Sequence, residues 1–159
     1  MPSDRIVINA SPLILLCKGD LEVLLPQLFQ EIVIPKAVWE EIILGDDIAS
    51  SKIRSASWLK QVTVEISNDV LIWNLGDGES EVLSLALEDD RYIAAIDDRA
   101  ARNCARTLAV RTMGTGAILV LAKQKGYLES VERTLSRLRE VGLYISDDIV
   151  EMLKKQAGE

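Results

Sequence analysis

The sequence predicts one three-layer α/β/α domain, with a mainly parallel central sheet between two layers of helices. Short apolar runs rich in β-branched residues alternate along the chain with segments of helical periodicity. This alternation is typical of a parallel sheet that is covered on both faces. The length of 159 residues fits a single domain, and the 48% of apolar residues is enough for a folded core. We therefore treat residues 1–159 as one α/β domain.

The first half of the chain contains two buried strands and one strand with a single half-buried face. The predicted elements are, in order, a strand at 5–8, short helices over 13–17 and 21–29, a strand at 31–35, a helix after Pro35, a polar helix over 46–59 and a strand at 62–66. Ser11 is placed to cap the first helix, with Pro12 at its first position. This half therefore begins with the order strand, helices, strand, helix.

The second half repeats the alternation and ends in helices. The predicted elements are a turn at 74–78, a helix over 79–88, a strand at 92–96, a helix from Asp98 to about 108, a short strand at 110–113, a helix over 117–125, a helix with its apolar stripe at Val131, Leu135 and Leu138, and a last helix capped by Ser146. In such a fold, ligands bind beyond the carboxyl ends of the strands.

The composition excludes several kinds of catalytic site. The sequence contains no histidine, so Ser-His and Cys-His nucleophiles and most zinc enzymes are excluded. Cys17 and Cys104 lack the close spacing of a metal or redox pair, and we interpret both as core residues. The net charge of −7 argues against a protein that coats nucleic acid by bulk attraction. Catalysis must come from carboxylates, lysine, hydroxyls or a hard metal ion.

Polar and acidic residues follow the predicted strands at the points where a ligand would bind. Asn9 ends the first strand, and Asp97 and Asp98 end the strand at 92–96. Glu41 shares a helix face with Val38, by the spacing of three and four residues. A second group of acids, Glu79 and Glu81, lies in the first turns of the helix after Gly78. Carboxylates gathered at one site repel each other, and a bound dication such as Mg²⁺ or Mn²⁺ would remove that conflict.

Each acidic residue also has an ordinary structural interpretation. Glu79 could simply complement the positive end of its helix dipole, worth about 0.3 to 1 kcal/mol. Asp98 could be a helix N-cap, which is common for Asp at a junction between strand and helix. Glu40 fits a solvated charge. A functional site is favoured because four separate segments each place a polar or acidic residue where the predicted fold would bring them together.

Short motifs along essentially the whole chain resemble those of the PIN-domain superfamily of metal-dependent ribonucleases, the fold of VapC-type toxins. The motifs are VINASPL at 7–13, IPKAVWEEI at 34–42, GDGESE at 76–81, IDDRAAR at 96–102, GTG at 114–116 and LREVGLYIS at 138–146. Each motif is short, but their order and spacing together are fairly specific. The sequence looks closest to a PIN-like branch with little assigned function.

The resemblance implies a site for Mg²⁺ or Mn²⁺ that hydrolyses RNA. It places Asn9, Glu41, Glu81 and Asp98 on the four acidic positions, the last three as catalytic residues, with Asp97 and Glu79 as further candidate ligands. PIN nucleases usually have Asp where this chain has Asn9. An amide oxygen can coordinate Mg²⁺ but brings no charge. The alternative is therefore a catalytically weak or inactive module that binds nucleic acid or a protein.

A basic stripe begins beside these acids. Arg99, Arg102 and Arg106 follow each other at spacings of three and four residues on one predicted helix. The stripe is a candidate RNA-binding surface, although a solvated helix face is the common alternative. Thr115 lies between two glycines at a predicted helix start, where it could form a phosphate nest or an ordinary cap.

The resemblance also suggests partners. VapC-type toxins pair with a small antitoxin and often form homodimers, and Trp39 or Trp58 could serve such contacts, although both are more often core residues. We expect a soluble cytoplasmic protein, because no apolar stretch reaches the length of a membrane span. A phospho-receiver domain also gathers acids at strand ends. The paired acids after its first strand and the lysine after its last strand are missing here.

Overall fold

The computed structural model describes residues 4–45 and 47–159, apart from the side chain of Asp47. The five strands are β1 (Arg5–Ile8), β2 (Glu31–Pro35), β3 (Leu59–Val62), β4 (Tyr92–Ala95) and β5 (Thr112–Met113). The helices are α1 (Ala10–Lys18), α2 (Leu24–Leu28), α3 (Lys36–Gly45), α4 (Asp47–Arg54), α5 (Asn68–Leu71), α6 (Asp77–Glu88), α7 (Arg99–Thr107), α8 (Thr115–Gln124), α9 (Val131–Glu140) and α10 (Asp147–Gln156). Asp46, where the predicted polar helix begins, lies outside the described residues.

The five strands form one parallel sheet in the order β3-β2-β1-β4-β5. The central strand β1 is buried on both faces, and Val7 lies opposite Val33 of β2 and Ala94 of β4. Both faces of a covered parallel strand must be apolar, which is why Ile6, Val7 and Ile8 show no alternation with polar residues. The predicted three-layer α/β/α fold is confirmed.

The strand order reverses at β1, and this reversal locates the site. After β1 the chain adds β2 and β3 on one side, and then crosses to add β4 and β5 on the other. Neighbouring crossovers therefore leave the sheet in opposite directions at the carboxyl ends of β1 and β4, which opens a crevice for ligands. We call the surface formed by the residues after β1, β2 and β4 the carboxyl edge.

Several predicted element boundaries differ from the structure, and two of them have a clear physical reason. The polar helix predicted over 46–59 is shorter, since α4 ends at Arg54 and β3 begins at Leu59. The alternation at 62–66 predicts a strand, but β3 ends at Val62 and the residues after it have no strand pairing. Alternation reports a half-buried extended segment, and it does not report hydrogen bonding to a neighbour. Helix α1 begins at Ala10 with Asn9 as its N-cap, so Ser11 is not the cap and Pro12 is the third helical residue. A proline is tolerated there because N–H groups in the first turn have no intrahelical partner.

Both cysteines are buried, as the sequence predicts. Cys17 and Cys104 are 1% and 0% exposed and lie in the hydrophobic core, as predicted. Burial raises the pKa of the Cys104 thiol, so this thiol stays protonated and unreactive. None of the helices in the described part of the chain is long and apolar enough to cross a membrane.

Glu159 fastens α10 to the start of α9. Its side-chain oxygens accept hydrogen bonds from the backbone N–H groups of Val131, at 2.7 Å, and Glu132, at 3.1 Å. A carboxylate at this position compensates the unpaired donors of the first helical turn. Burial opposes the charge of Glu159, but these bonds and Lys123 outweigh burial and lower the pKa of the carboxyl.

We expect Glu159→Ala to lower the free energy of unfolding by about 1 kcal/mol, the usual value for loss of a helix N-cap. Urea unfolding followed by circular dichroism measures the change. Glu140→Ala is the matched control, because Glu140 is an exposed residue at the end of α9 and its loss should change stability by less than about 0.5 kcal/mol. Equal effects of the two substitutions would contradict the capping role.

Candidate functional site at the carboxyl edge

Asn9 lies at the centre of the carboxyl edge. The residue is 4% exposed, and its backbone N–H donates to the carbonyl of Ala95 at the end of β4, at 3.0 Å. This bond continues the pairing of β1 with β4 and fixes Asn9 next to the segment that leads to Asp97 and Asp98. A buried amide side chain has to face polar groups, so Asn9 marks a polar point at the end of β1.

Gly78 allows the start of α6 to approach Asn9. A Cβ atom at position 78 would lie 3.3 Å from Asn9 Oδ1 and 3.3 Å from Val38 Cγ2, which is tighter than ordinary van der Waals contact. The absence of a side chain therefore brings β1, α3 and α6 together at one point. Glu79 and Glu81 follow Gly78 directly, so the close approach delivers both acids to the edge.

Glu81 connects α6 to the beginning of α3. Its Oε1 atom accepts a hydrogen bond from the backbone N–H of Ala37, at 3.3 Å, and Ala37 is the second residue of α3. The carboxylate thus lies at the positive end of the α3 dipole, which stabilises its charge. This contact spans 44 residues of sequence, and it places Glu81 at the carboxyl end of β2.

Glu41 and Glu79 interact electrostatically. Glu41 is an exposed residue overall, yet burial of its carboxyl group raises the pKa, and the negative charge of Glu79 raises it further. Glu79 itself folds back over the start of α6, where a Cβ atom at Gly76 would lie 2.6 Å from its Oε2 atom. The charge of Glu79 thus disfavours the ionised form of Glu41, and a bound cation would remove this conflict.

We expect Glu79→Gln to lower the pKa of Glu41. The substitution keeps the shape of the side chain and removes the charge that disfavours ionisation of Glu41, while the contribution of burial remains. Because a raised pKa means that Glu41 loses its charge at a higher pH than usual, the variant should stay ionised to lower pH. Titration of the carboxyl carbon by NMR, in metal-free protein, measures the shift. An unchanged titration would show that the two side chains do not interact.

Asp98 and Asp97, at the end of β4, both hold helix starts. Asp98 is the N-cap of α7, and its Oδ2 atom accepts from the backbone N–H of Ala101 at 2.9 Å. The capping interpretation of Asp98 is confirmed, and this role leaves its Oδ1 atom for other contacts. Asp97 accepts two bonds from Thr115, from the backbone N–H at 2.8 Å and from the hydroxyl at 2.6 Å.

The partner of Thr115 is Asp97, and it takes the place that a phosphate would occupy in a phosphate nest. Thr115 is fully buried, and both its hydroxyl and its backbone N–H donate to Asp97. The carboxylate occupies the start of α8, so the prediction that Thr115 contacts RNA is wrong. Gly114 makes the arrangement possible, because a Cβ atom there would lie 3.0 Å from Asp97 Oδ1 and 2.9 Å from Arg102 Nη1.

The acids of the carboxyl edge form two neighbouring groups. Glu41, Glu79 and Glu81 belong to the junction of α3 and α6, whereas Asp97 and Asp98 belong to the end of β4. Within residues 4–45 and 47–159, no three Asp, Glu, Cys or His side chains are gathered closely enough to hold a metal ion. The assignment of Glu41, Glu81 and Asp98 to one shared ion stays a prediction.

The basic stripe on α7 lines a large groove. Arg99, Arg102 and Arg106 are exposed, and they line a groove of about 840 Å³ that Asp97 also lines. Tyr144, from the segment between α9 and α10, lines the same groove. The sequence signal for the arginines is their helical spacing. Tyr144 was missed, because an exposed residue in an irregular segment has no periodic pattern.

Comparison with known families identifies the fold and the class of site. Residues 5–159 match a family model described as a PIN domain. The chain therefore belongs to the PIN-domain family, and the resemblance seen in the sequence motifs is confirmed. PIN domains are generally nucleases and usually use divalent metal ions. None of the curated proteins matches the chain in sequence.

Proposed function

We propose that this protein is a metal-dependent ribonuclease that hydrolyses RNA phosphodiester bonds at the carboxyl edge. The observation that supports the proposal most is that Asn9 and Asp98 follow the neighbouring parallel strands β1 and β4 of a PIN-type sheet, at the topological switch point where ligands bind. The charge of Glu79 also raises the pKa of Glu41, after the larger effect of burial, and a nearby cation would relieve this repulsion.

The donors at the edge fit a hard dication in their chemistry. The candidate ligands are an amide oxygen from Asn9 and carboxylate oxygens from Glu41, Glu81 and Asp98, and such oxygen donors suit Mg²⁺ and Mn²⁺. In the part of the chain that the structure describes, Glu81 Oε2 and Asp98 Oδ1 accept no hydrogen bond, so each acid has an oxygen for a second contact. Glu79 is a further candidate ligand, while both oxygens of Asp97 already face Thr115.

The proposed reaction needs residues that bind the ion and a residue that orients the attacking water. A bound dication would supply an acidified water and neutralise charge on the leaving oxygen. Glu41, Glu81 and Asp98 would hold the ion, and a carboxylate of this set would orient the attacking water. The backbone contacts of Glu81 and Asp98 restrict the two side chains, so less conformational freedom is lost when the ion binds.

A cleavage assay tests the proposal directly. A panel of end-labelled single-stranded RNAs is incubated with the purified protein in Mn²⁺, in Mg²⁺ and in EDTA. We expect internal cleavage with either metal and none in EDTA. Intact RNA under all three conditions, with a folded protein, would refute the nuclease proposal.

A second candidate function is a PIN-like module without catalysis, which binds nucleic acid or a protein. Two observations favour it: Asn9 brings no charge to the edge, and the described residues lack a group of three acids placed for one ion. Such a module should show no Mn²⁺ binding at micromolar to low millimolar concentrations. Metal titration therefore separates the two functions.

We also propose that the protein acts as the toxin of a toxin–antitoxin pair and forms a homodimer. Exposed apolar side chains support a protein contact, since Leu44 is 88% and Ile72 is 81% exposed. The earlier candidates Trp39 and Trp58 are half-buried and pack against the core, so they are weaker candidates for it. Size-exclusion chromatography at several concentrations tests the dimer, and a monomer throughout would refute it.

A further inference from the structure

The groove beside α7 is lined by two sets of residues of different chemistry. The basic wall is the set from α7, Arg99, Arg102 and Arg106, and the apolar wall is the set from α10 and the segment before it, Tyr144, Ile149 and Met152. Tyr144 is fully exposed, and Ile149 and Met152 are 41% and 45% exposed. Gly116 lets α10 pack closely against α8, because a Cβ atom there would lie 2.5 Å from Leu153 Cδ1. The part of the apolar wall that α10 contributes is thus held against α8.

The three arginines lack an acidic partner within the described residues. The arginines that do pair there with a carboxylate are Arg5, Arg91, Arg111 and Arg139. In a chain with a net charge of −7, three guanidinium groups on one helix face, none of them neutralised by a carboxylate of the described residues, concentrate positive charge in the groove. The side-chain hydrogen bond that Arg106 donates goes to the neutral Asn103. Guanidinium groups bind phosphate through paired hydrogen bonds. The charge of this wall is complementary to a polyanion.

We propose that this groove, which we call the α7–α10 groove, binds single-stranded RNA next to the cleavage site, with a base stacked on Tyr144. The inference rests on the proposed function, because Asp97 of the carboxyl edge is also a lining residue of the groove. Arg99 and Arg106 are seven residues apart, or about 10 Å along the helix. The phosphate backbone of a bound RNA strand would lie along these arginines, and its bases would turn toward the apolar wall.

The apolar wall selects for unpaired bases. Bases within a duplex are stacked on each other and present a charged backbone outward, whereas a single strand can turn its bases onto an aromatic ring. A fully exposed tyrosine in the same groove as an arginine stripe is the combination that single-strand binding sites use. The volume of about 840 Å³ exceeds what one phosphate ion needs, so the groove has room for a segment of a polymer.

Binding in EDTA tests the groove independently of cleavage. Fluorescence anisotropy compares a labelled 12-nucleotide riboadenosine strand with an abasic strand of the same length and charge. We expect the base-containing strand to bind about tenfold more tightly. Tyr144→Ala should remove most of this difference, and Tyr144→Phe should keep it. Tyr127→Ala is the matched control, because Tyr127 is also exposed but lies outside the groove.

The salt dependence of binding tests the basic wall. Arg102→Ala should weaken the binding of both strands and lower the slope of log affinity against log salt by about one. Arg133→Ala, an exposed arginine on α9 outside the groove, should leave the slope unchanged. Equal binding of the two strands to the wild type, or equal losses from Tyr144→Ala and Tyr127→Ala, would overturn the proposal. Displacement of RNA by polyglutamate at matched charge would assign the groove to an acidic protein instead.

The proposed cleavage and the proposed groove can fail separately. Tyr144-dependent binding in EDTA without cleavage in Mn²⁺ would retain the groove and refute the nuclease. Cleavage in Mn²⁺, together with RNA binding that is unchanged in the Tyr144 and Arg102 variants, would retain the nuclease and refute the groove.

Discussion

Glu81→Gln and Asp98→Asn should each reduce Mn²⁺-dependent RNA cleavage by more than about 100-fold, because even residues that only support metal ligands commonly contribute 10- to 100-fold. Both substitutions keep the shape and the local hydrogen bond of the side chain. The amide oxygen of glutamine can accept from Ala37, and asparagine is as good an N-cap as aspartate. The variants should therefore fold normally while losing the charge that holds the ion.

Initial cleavage rates for the two variants, at saturating Mn²⁺ and with equal circular dichroism spectra, measure the effect. Glu40→Gln is the matched control on α3. Glu40 is exposed and pairs loosely with Lys36, at 3.9 Å, so its loss should leave the rate within about twofold, as expected for an exposed ion pair. Equal activity of the wild type, Glu81→Gln and Asp98→Asn would remove these carboxylates from the reaction.

Asp97→Ala should instead lower stability, by about 3 kcal/mol. Asp97 accepts the hydroxyl and the backbone N–H of Thr115, and Thr115 is fully buried. Removing the carboxylate leaves two donors at the start of α8 without their partner, and an unsatisfied buried polar group costs about 1 to 3 kcal/mol. Asp98→Ala should cost only about 1 kcal/mol, since Asp98 serves as an exposed N-cap.

Urea unfolding of the two alanine variants measures both effects. A double-mutant cycle with Thr115→Val shows whether Asp97 acts through this threonine, because removing the hydroxyl first should reduce the cost of Asp97→Ala. A loss below about 0.5 kcal/mol for Asp97→Ala, the level of an ordinary surface substitution, would contradict the structural role. It would then return Asp97 to the candidate ligands.

The main strands and the site segments were predictable because their patterns are local. Apolar runs such as Ile6 to Ile8 identify strands that are buried on both faces. Once such strands lie parallel, the residues that follow them must share an edge, so Asn9 and Asp98 could be assigned to the same region. The N-cap roles of Asp98 and Ser146 also follow from local sequence, and the structure confirms both.

The remaining features depend on contacts between distant residues. The bonds of Asp97 to Thr115 and of Ala37 to Glu81 span 18 and 44 residues, and no periodicity encodes which acid meets which helix start. The predicted bounds of β3 are wrong for a related reason. Val62, Val64 and Ile66 are all half-buried, so they alternate like a strand, but pairing with β2 ends at Val62. The α7–α10 groove likewise requires the packing of α10, which sequence alone does not give.

The capacity of the carboxyl edge to bind a dication is tested most directly by titrating Mn²⁺ into the protein without RNA. Electron paramagnetic resonance of free Mn²⁺ provides the binding curve. The account predicts saturable binding at micromolar to low millimolar Mn²⁺, strongly weakened in Glu81→Gln and in Asp98→Asn and retained in Glu40→Gln. A wild-type protein that binds no Mn²⁺ up to about 10 mM, beyond the range of weak protein sites for hard dications, would contradict it.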